Sequence, residues 1–340
     1  MAFRHLKVKI MHQSTLKELA EILGFSISTV SRALKDHPDI SEATKKKVKE
    51  LALMMEYEPN SYAVQLRTRQ SNVLGILVPT IDNFFYDSFI AAVEDDARPH
   101  GYSVLIMQSK DDLEIENANL NLFRKNMVSG IFASVSIETE DLGHYERFVK
   151  QEVPVVFFDR VVELEGCSRV CLSDEHAARI AAETIIAKKK KNVLALFGHP
   201  HLSITQKRCA SFEETFAKRS SKTKLEIQYP ESIKESKRLT LLALQEAKRP
   251  DVIFCMGDLI LIGVMSAIHE LNLKVPEDIS VIGISNGLIP TMYNPKVTYV
   301  ETSGYKLGKL AFRQMLAALK QETVKPEIML ESILVEGGSL

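Results

Sequence analysis

The sequence predicts a small all-α helix-turn-helix headpiece joined to an α/β body of two doubly wound subdomains. Three observations carry that expectation. Residues 15–34 read as two short amphipathic helices meeting at a glycine. At Val73 the hydrophobic pattern changes period. From there, short apolar runs alternate with amphipathic segments through most of the remainder of the 340-residue chain.

In TLKELAEILGFSISTVSRAL, Thr15 to Leu34, the residues Leu16, Leu19, Ala20 and Leu23 recur at helical spacing, while Lys17, Glu18 and Glu21 face water. Thr15 with Glu18 forms a capping box. Gly24 ends the helix where a positive φ is cheap, and Ser26 caps the next one. In that second helix Ile27, Val30, Ala33 and Leu34 are expected to pack inward, which leaves Ser28, Thr29 and Arg32 outward near its N-terminal half. A recognition helix meets base edges there, and an arginine fork can hold guanine O6 and N7. Capped helix pairs of this kind also occur in ordinary bundles, so both readings stand on these residues alone. Ser41 caps a third helix with Val48, Leu51, Ala52 and Met55 on its apolar face. Its Lys45, Lys46, Lys47 and Lys49 form a basic outer face, either a phosphate contact or simply solvated.

In the body, VLGILVP, YSVLIMQ, SGIFASV, VPVVFFD, NVLALFG, DVIFCMG and ISVIGIS read as buried parallel strands, being continuous and rich in Val, Ile and Phe. Between them lie helices over Phe85 to Arg98, Leu113 to Lys125, Glu175 to Ala187, Gln206 to Arg219, Glu235 to Ala247 and Leu259 to Leu271. Such alternation, at this length, implies two doubly wound sheets. Neither carries a G-x-G-x-x-G fingerprint or a Walker-type loop, so no dinucleotide or nucleotide cofactor is expected. Lys188 to Lys191 reads as a solvated turn at a helix C-terminus.

The net charge of −1 conceals an asymmetry. Residues 1–70 hold 12 Lys and Arg against 8 Asp and Glu, and the remainder holds 31 against 36. A basic end on an acidic body suits a chain that meets phosphate at one end only. The excess is modest, so two headpieces side by side are expected, with half-sites about 34 Å apart. Cys167, Cys171, Cys209 and Cys255 show neither metal-ligand spacing nor a disulfide framework, which points to a reduced cytoplasm. No signal peptide and no apolar run of spanning length is present. Residues 1–13 read as a disordered basic extension, with Met11 an alternative start. An enzyme is disfavoured because no Ser-His-Asp order, metal cluster or paired-carboxylate motif stands out. His199 and His201, in the loop after NVLALFG, read as loop polars or ligand contacts.

FSISTVSRAL (Phe25 to Leu34) and YEPNSYAVQLR (Tyr57 to Arg67) together resemble the headpiece and hinge of the lactose/purine repressor (LacI-type) family of bacterial transcription regulators. The likeness continues in ILVPTIDNFF (Ile76 to Phe85), VVFFDR (Val155 to Arg160), LKVPEDISVIGIS (Leu273 to Ser285) and the late Leu307-Gly308. It implies a helix-turn-helix DNA-binding domain at 14–58, a hinge helix at 59–70 and a periplasmic-binding-protein-like effector domain at 71–340. It also implies a cytoplasmic homodimer on a palindromic double-stranded operator, allosterically controlled by a small molecule, a sugar or a sugar phosphate. DNA contacts fall by resemblance on Thr15, Ile27, Ser28, Thr29, Ser31 and Arg32, and in the hinge on Asn60, Ala63, Leu66 and Arg67. Leu66 is either a minor-groove wedge or a buried linker anchor.

Effector contacts fall by resemblance on Phe84, Phe85, Asp159, Arg208, Gly257, Asp258 and Ser285. Each has a plainer alternative: core for the phenylalanines, a partner of Arg160 or a turn cap for Asp159, an exposed helix position for Arg208. The chain has Ser285-Asn286 where the family commonly has an aspartate, and Gly257-Asp258 where many members have Asn-Asp. With few acids expected around Arg208, an anionic ligand is the reading that follows; a vestigial pocket is the alternative. A small-molecule binding protein that has lost its DNA role is the alternative function. No leucine heptad follows Leu330, which favours a dimer over a tetramer.

Overall fold

The computed structural model describes residues 14–57, 71–220 and 222–340. The expected extension, residues 1–13, and the hinge with Asn60, Ala63, Leu66 and Arg67 lie outside the described residues. The chain divides into two units between Gln70 and Ser71, each described by itself.

The first unit holds α1 (Leu16–Leu23), α2 (Ile27–Leu34) and α3 (Glu42–Met54). Glu18 N donates to Thr15 Oγ1 at 3.2 Å, and Thr15 N donates back to the Glu18 carboxylate at 2.8 Å, closing the capping box. Gly24 ends α1 with φ 66°, while Ser26 and Ser41 cap α2 and α3. Leu19, Ala20, Val30, Ala33, Val48 and Ala52 are the buried core, flanked by Leu16, Leu23, Leu34, Leu51 and Met55. Two expectations need correction. Ile27 does not pack inward: it sits in the first turn at the edge of the stripe and is 49% exposed. Nor is the lysine row a uniform basic face. Lys45 is buried, at 8% exposure, and donates to Glu42 at 2.7 Å, while Lys49 is bonded to Asp36 at 2.5 Å.

The body begins with β1 (Val73–Val78), α4 (Phe84–Ala97), β2 (Ser103–Gln108), α5 (Leu113–Lys125), β3 (Gly130–Ala133), α6 (Gly143–Lys150), β4 (Val155–Phe158) and β5 (Ser168–Leu172). It continues with α7 (Asp174–Ala187), β6 (Asn192–Leu196), α8 (Ser203–Arg219), β7 (Lys224–Gln228), α9 (Ile233–Gln245), β8 (Val252–Cys255), α10 (Asp258–Glu270), β9 (Ser280–Ser285) and β10 (Thr298–Glu301). Then come α11 (Gly304–Leu319), β11 (Glu327–Leu330) and β12 (Ile333–Val335). Among the described residues the strands form two six-stranded sheets, ordered β2-β1-β3-β4-β5-β11 and β7-β6-β8-β9-β10-β12. All pairings are parallel except β10 with β12. Both sheets thus follow the doubly wound order, whose crevice lies where the strand order reverses.

The central strands β1, β3, β4, β8 and β9 are almost wholly buried, because helices cover both faces. YSVLIMQ departs from the expectation of burial: β2 is an edge strand and Ile106 is 40% exposed. Strands β5, β7, β10, β11 and β12 and helices α6 and α11 were not among the expected elements; the strands are short, partly polar, or both. Helix α11 packs on α4 so closely that a Cβ on Gly304 would lie 2.2 Å from Phe85 O. The chain passes between the sheets after β5, after β10 and after β11. These three crossings set the carboxyl ends of the two sets of strands around one crevice.

Candidate functional site

On the headpiece, the exposed side of α2 offers Ile27, Ser28 and Arg32, with Thr29 and Ser31 half-buried and Thr15 exposed at the cap of α1. Ser26 Oγ lies 2.7 Å from Ser28 Oγ and 2.8 Å from Thr29 Oγ1, a hydroxyl cluster at the helix N-terminus. Among the described residues Arg32 makes no ion pair or side-chain hydrogen bond, so its guanidinium projects unengaged. Donors at a helix N-terminus and an open fork are the chemistry that phosphates and guanine edges accept.

The crevice of the body holds a cavity of about 490 Å³. Its walls follow the strand ends: Ile137, Asp159, Arg160 and Leu172 from the first sheet, and Gly198, His199, Met256, Gly257, Asp258, Ser285, Asn286 and Thr302 from the second. Helix α4 adds Phe85 and Tyr86, and α8 adds Arg208. Asp159, with φ 58°, turns its carboxylate to accept the Tyr86 hydroxyl at 2.7 Å, and that hydroxyl also lies 3.1 Å from Ser134 Oγ. Burial pushes the Asp159 carboxyl above its ordinary value, the Tyr86 bond and the Arg160 charge opposing. Arg160 is bonded to Asp111 rather than to Asp159, and its buried Nε has no partner among the described residues.

Arg208 is neither exposed nor short of acids. It is 6% exposed, and its Nε and Nη2 donate to the near-buried Asp174 Oδ1 at 2.8 and 2.7 Å, while Nη1 reaches Met256 O at 3.2 Å. Asp174 opens α7 directly after β5, a strand the apolar pattern did not reveal, so this partner was hidden. The guanidinium charge is therefore already matched. This overturns the argument for an anionic ligand that rested on a solitary arginine.

The departures at Gly257 and Ser285 are resolved as one cluster. Gly257 is the N-cap of α10, and Asp258, its first residue, accepts the Ser285 hydroxyl and Asn286 N at 3.1 Å. Burial raises the Asp258 carboxyl above its usual range against both bonds. Asn286 then reaches across: its Nδ2 donates to Phe84 O at 3.1 Å, while its Oδ1 accepts Gly304 N at 2.9 Å and Ser88 Oγ at 3.2 Å. One side chain thereby ties the end of β9 to α4 and α11. Phe84 itself is not on the cavity wall; its ring packs against the core of the second sheet, whereas Phe85 lines the cavity. His199 lies 3.6 Å from the Glu231 carboxylate, both at the rim. Among the described residues no cluster of His, Cys, Asp or Glu could hold a metal ion, and no helix is long and apolar enough to cross a membrane.

Comparison with known proteins places both units. Residues 15–60 match the family described as bacterial regulatory proteins, lacI family, and residues 182–340 match the periplasmic binding protein-like domain. The HTH-type transcriptional regulator RegA of Clostridium saccharobutylicum is 28% identical over 332 residues, covering 96% of this chain and 99% of that one. The catabolite control protein A of Priestia megaterium is 27% identical over 93% of this chain and 95% of its own length. The ribose operon repressor of Bacillus subtilis (strain 168) is 28% identical over 91% and 93% respectively. In fold, the chain is similar to the lac repressor dimer bound to operator and the anti-inducer ONPF, with a TM-score of 0.84 at 23% identity over 96% of this chain and 99% of that one. With a capped helix pair matching the lacI family model, a doubly wound body open at its crevice whose second part matches the periplasmic binding protein-like domain, and likeness over more than nine-tenths of its length to named regulators, the chain is similar throughout to DNA-binding regulators of transcription of lacI type.

Proposed function

We propose that the chain represses transcription as a homodimer on a two-fold symmetric operator, and that an uncharged polyhydroxyl compound of sugar type, bound in the crevice, sets its operator affinity. The observation that carries this reading is the state of the crevice charges. Asp111, Asp159, Glu231 and Asp258 line it against Arg160 and Arg208, and each arginine already has its acid. A phosphate would have to displace Asp174 or Asp111 from a guanidinium, whereas a hydroxyl can donate to Asp159 without breaking a pair.

Control follows from linkage. A ligand touching both walls favours the closed crevice, and the Asn286 bridge passes that preference to α4 and α11. A hundredfold change in operator affinity needs about 2.7 kcal/mol of difference in ligand binding between the two states. On the DNA side, Ile27, Ser28, Thr29, Ser31 and Arg32 face the major groove, Thr15 a phosphate, and Asn60, Ala63, Leu66 and Arg67 the minor groove of the central step. The dimer is supported by the apolar residues at two sheet edges: Ile106 on β2, and Tyr229, Ile233 and Leu242 around β7 and α9, at 39 to 53% exposure.

The test is selection of genomic fragments by the purified chain, footprinting of the best site, and titration of that complex with free sugars and their phosphates. An enriched palindrome released or tightened by a free sugar is the expected result. Response to the phosphate ester alone would overturn the ligand class, and absence of enrichment at low salt would overturn operator recognition by the unliganded chain.

A further inference from the structure

The end of the second sheet remote from the crevice, where its strands begin, carries an uncompensated positive surface. Lys188, Lys189, Lys190 and Lys191 form the turn from α7 into β6. Lys224 N donates to Lys191 O at 2.8 Å, which sets the start of β7 beside that turn. Lys224 and Lys248 line one shallow depression with Glu226 and Glu246, over Ala243 and Pro250. Arg249 follows Lys248 into β8, and Arg219 with Lys222 stands at the connection from α8 to β7.

Around the starts of β6, β7 and β8 nine cations meet four acids, Glu183, Glu226, Glu246 and Asp251, an excess of five in a body that is net acidic; the starts of β9 and β10 add Lys274 and Lys296 against Glu277 and Asp278 and leave that excess unchanged. Only two of the nine have an ion pair among the described residues, Arg219 with Glu183 at 2.9 Å and Lys224 with Glu226 at 3.7 Å. Asp251 is held by the backbone, accepting Lys191 N at 2.8 Å and Asn192 N at 3.1 Å. Neighbouring strand starts stand about 4.8 Å apart, so these like charges repel one another at close range and project a directional field.

We propose that this end of the second subdomain docks an acidic segment of a partner protein, its carboxylates on the lysines. The surface fits a polypeptide better than a nucleic acid. Its charges are mostly lysines without the forks that grip phosphate bidentately, and a polypeptide can set carboxylates on the lysines and neutral residues beside Glu183, Glu226 and Glu246, whereas a backbone charged at every nucleotide cannot avoid those glutamates.

The test uses the full chain and a fluorescein-labelled Glu-Glu-Leu repeat peptide, read by polarisation with the headpiece saturated by unlabelled duplex DNA. Saturable binding is expected. It should fall at least about tenfold when Lys188, Lys189, Lys190, Lys191 and Lys248 are all changed to Gln, and stay unchanged in a K46Q/K47Q headpiece variant. Circular dichroism melting confirms that both variants remain folded. No saturable binding, or an equal loss in the headpiece variant, overturns the proposal. A single-stranded oligonucleotide that binds more tightly and is lost with the same five lysines reassigns the surface to nucleic acid and equally overturns it.

Discussion

At the scale of single residues, three side chains define what can be tested. Arg32 projects unengaged from the recognition helix, so Arg32→Ala is expected to weaken specific operator binding by about 1–3 kcal/mol and leave binding to random duplex nearly unchanged, as titration of both DNAs would show. Arg208 has a different character. Because it neutralises the near-buried Asp174, Arg208→Ala strands a carboxylate and should cost about 3–5 kcal/mol in urea unfolding. A lost effector response in that variant therefore cannot be read alone; an Asp174→Asn, Arg208→Met double substitution, which removes both charges, should recover part of the stability. Asp159 supplies a pH dependence. Burial raises its folded carboxyl above the unfolded value of about 3.9, so its contribution is full below that value and declines as pH rises through the folded one. Asp159→Asn keeps an acceptor for Tyr86 and abolishes the titration. Its melting temperature should therefore gain on the wild type as the pH is raised from about 4 to about 7.

At the scale of elements, the crevice depends on helices that fit together at close quarters. Helix α11 returns from the second sheet to the first and lies against α4, the helix that contributes Phe85 and Tyr86 to the wall. Gly304, at its first turn, permits the approach. An added Cβ meets Phe85 O at 2.2 Å and Ser88 Oγ at 2.5 Å, contacts that rotation of a side chain cannot relieve because one partner is backbone. Gly304→Ala should cost about 1–3 kcal/mol of stability and alter the Asn286 bridge that ends on Gly304 N. Calorimetric unfolding together with the effector response would show both. In the headpiece the same logic runs through local signals. The cap at Thr15, the left-handed Gly24 and the caps at Ser26 and Ser41 fix helix limits from short sequence motifs, and tertiary packing needs only to bring three stripes together.

At the scale of the whole molecule, each sheet leaves its second strand at an edge, and the apolar residues exposed there need a cover. Leu242, at 53% exposure, stands on α9 beside β7, and Leu242→Arg should shift the proposed dimer toward monomer in light scattering at micromolar concentration. Operator affinity should fall with it, since one basic headpiece supplies few phosphate contacts. Even those are fewer than the lysine count suggests: Lys45 and Lys49 are engaged by Glu42 and Asp36. The salt dependence of binding should accordingly reflect two headpieces acting together.

The sequence by itself determined the helix-turn-helix, the alternation that makes two doubly wound sheets, and the strand ends where the crevice lies, because caps, glycines and continuous apolar runs are local properties. It missed β5, β7, β10, β11, β12, α6 and α11. Edge and short strands bury little, so their residues need not be apolar, and YSVLIMQ misled in the opposite sense by being apolar at an edge. Only the tertiary structure decided the chemistry of the crevice. That Arg208 meets Asp174, that Arg160 turns to Asp111, that Ser285 and Asp258 form one cluster, and that Asn286 bonds the backbone of Phe84 and Gly304 all depend on partners far apart in the chain. Burial makes such pairing obligatory, yet nothing in the spacing of residues says which partner the fold will bring.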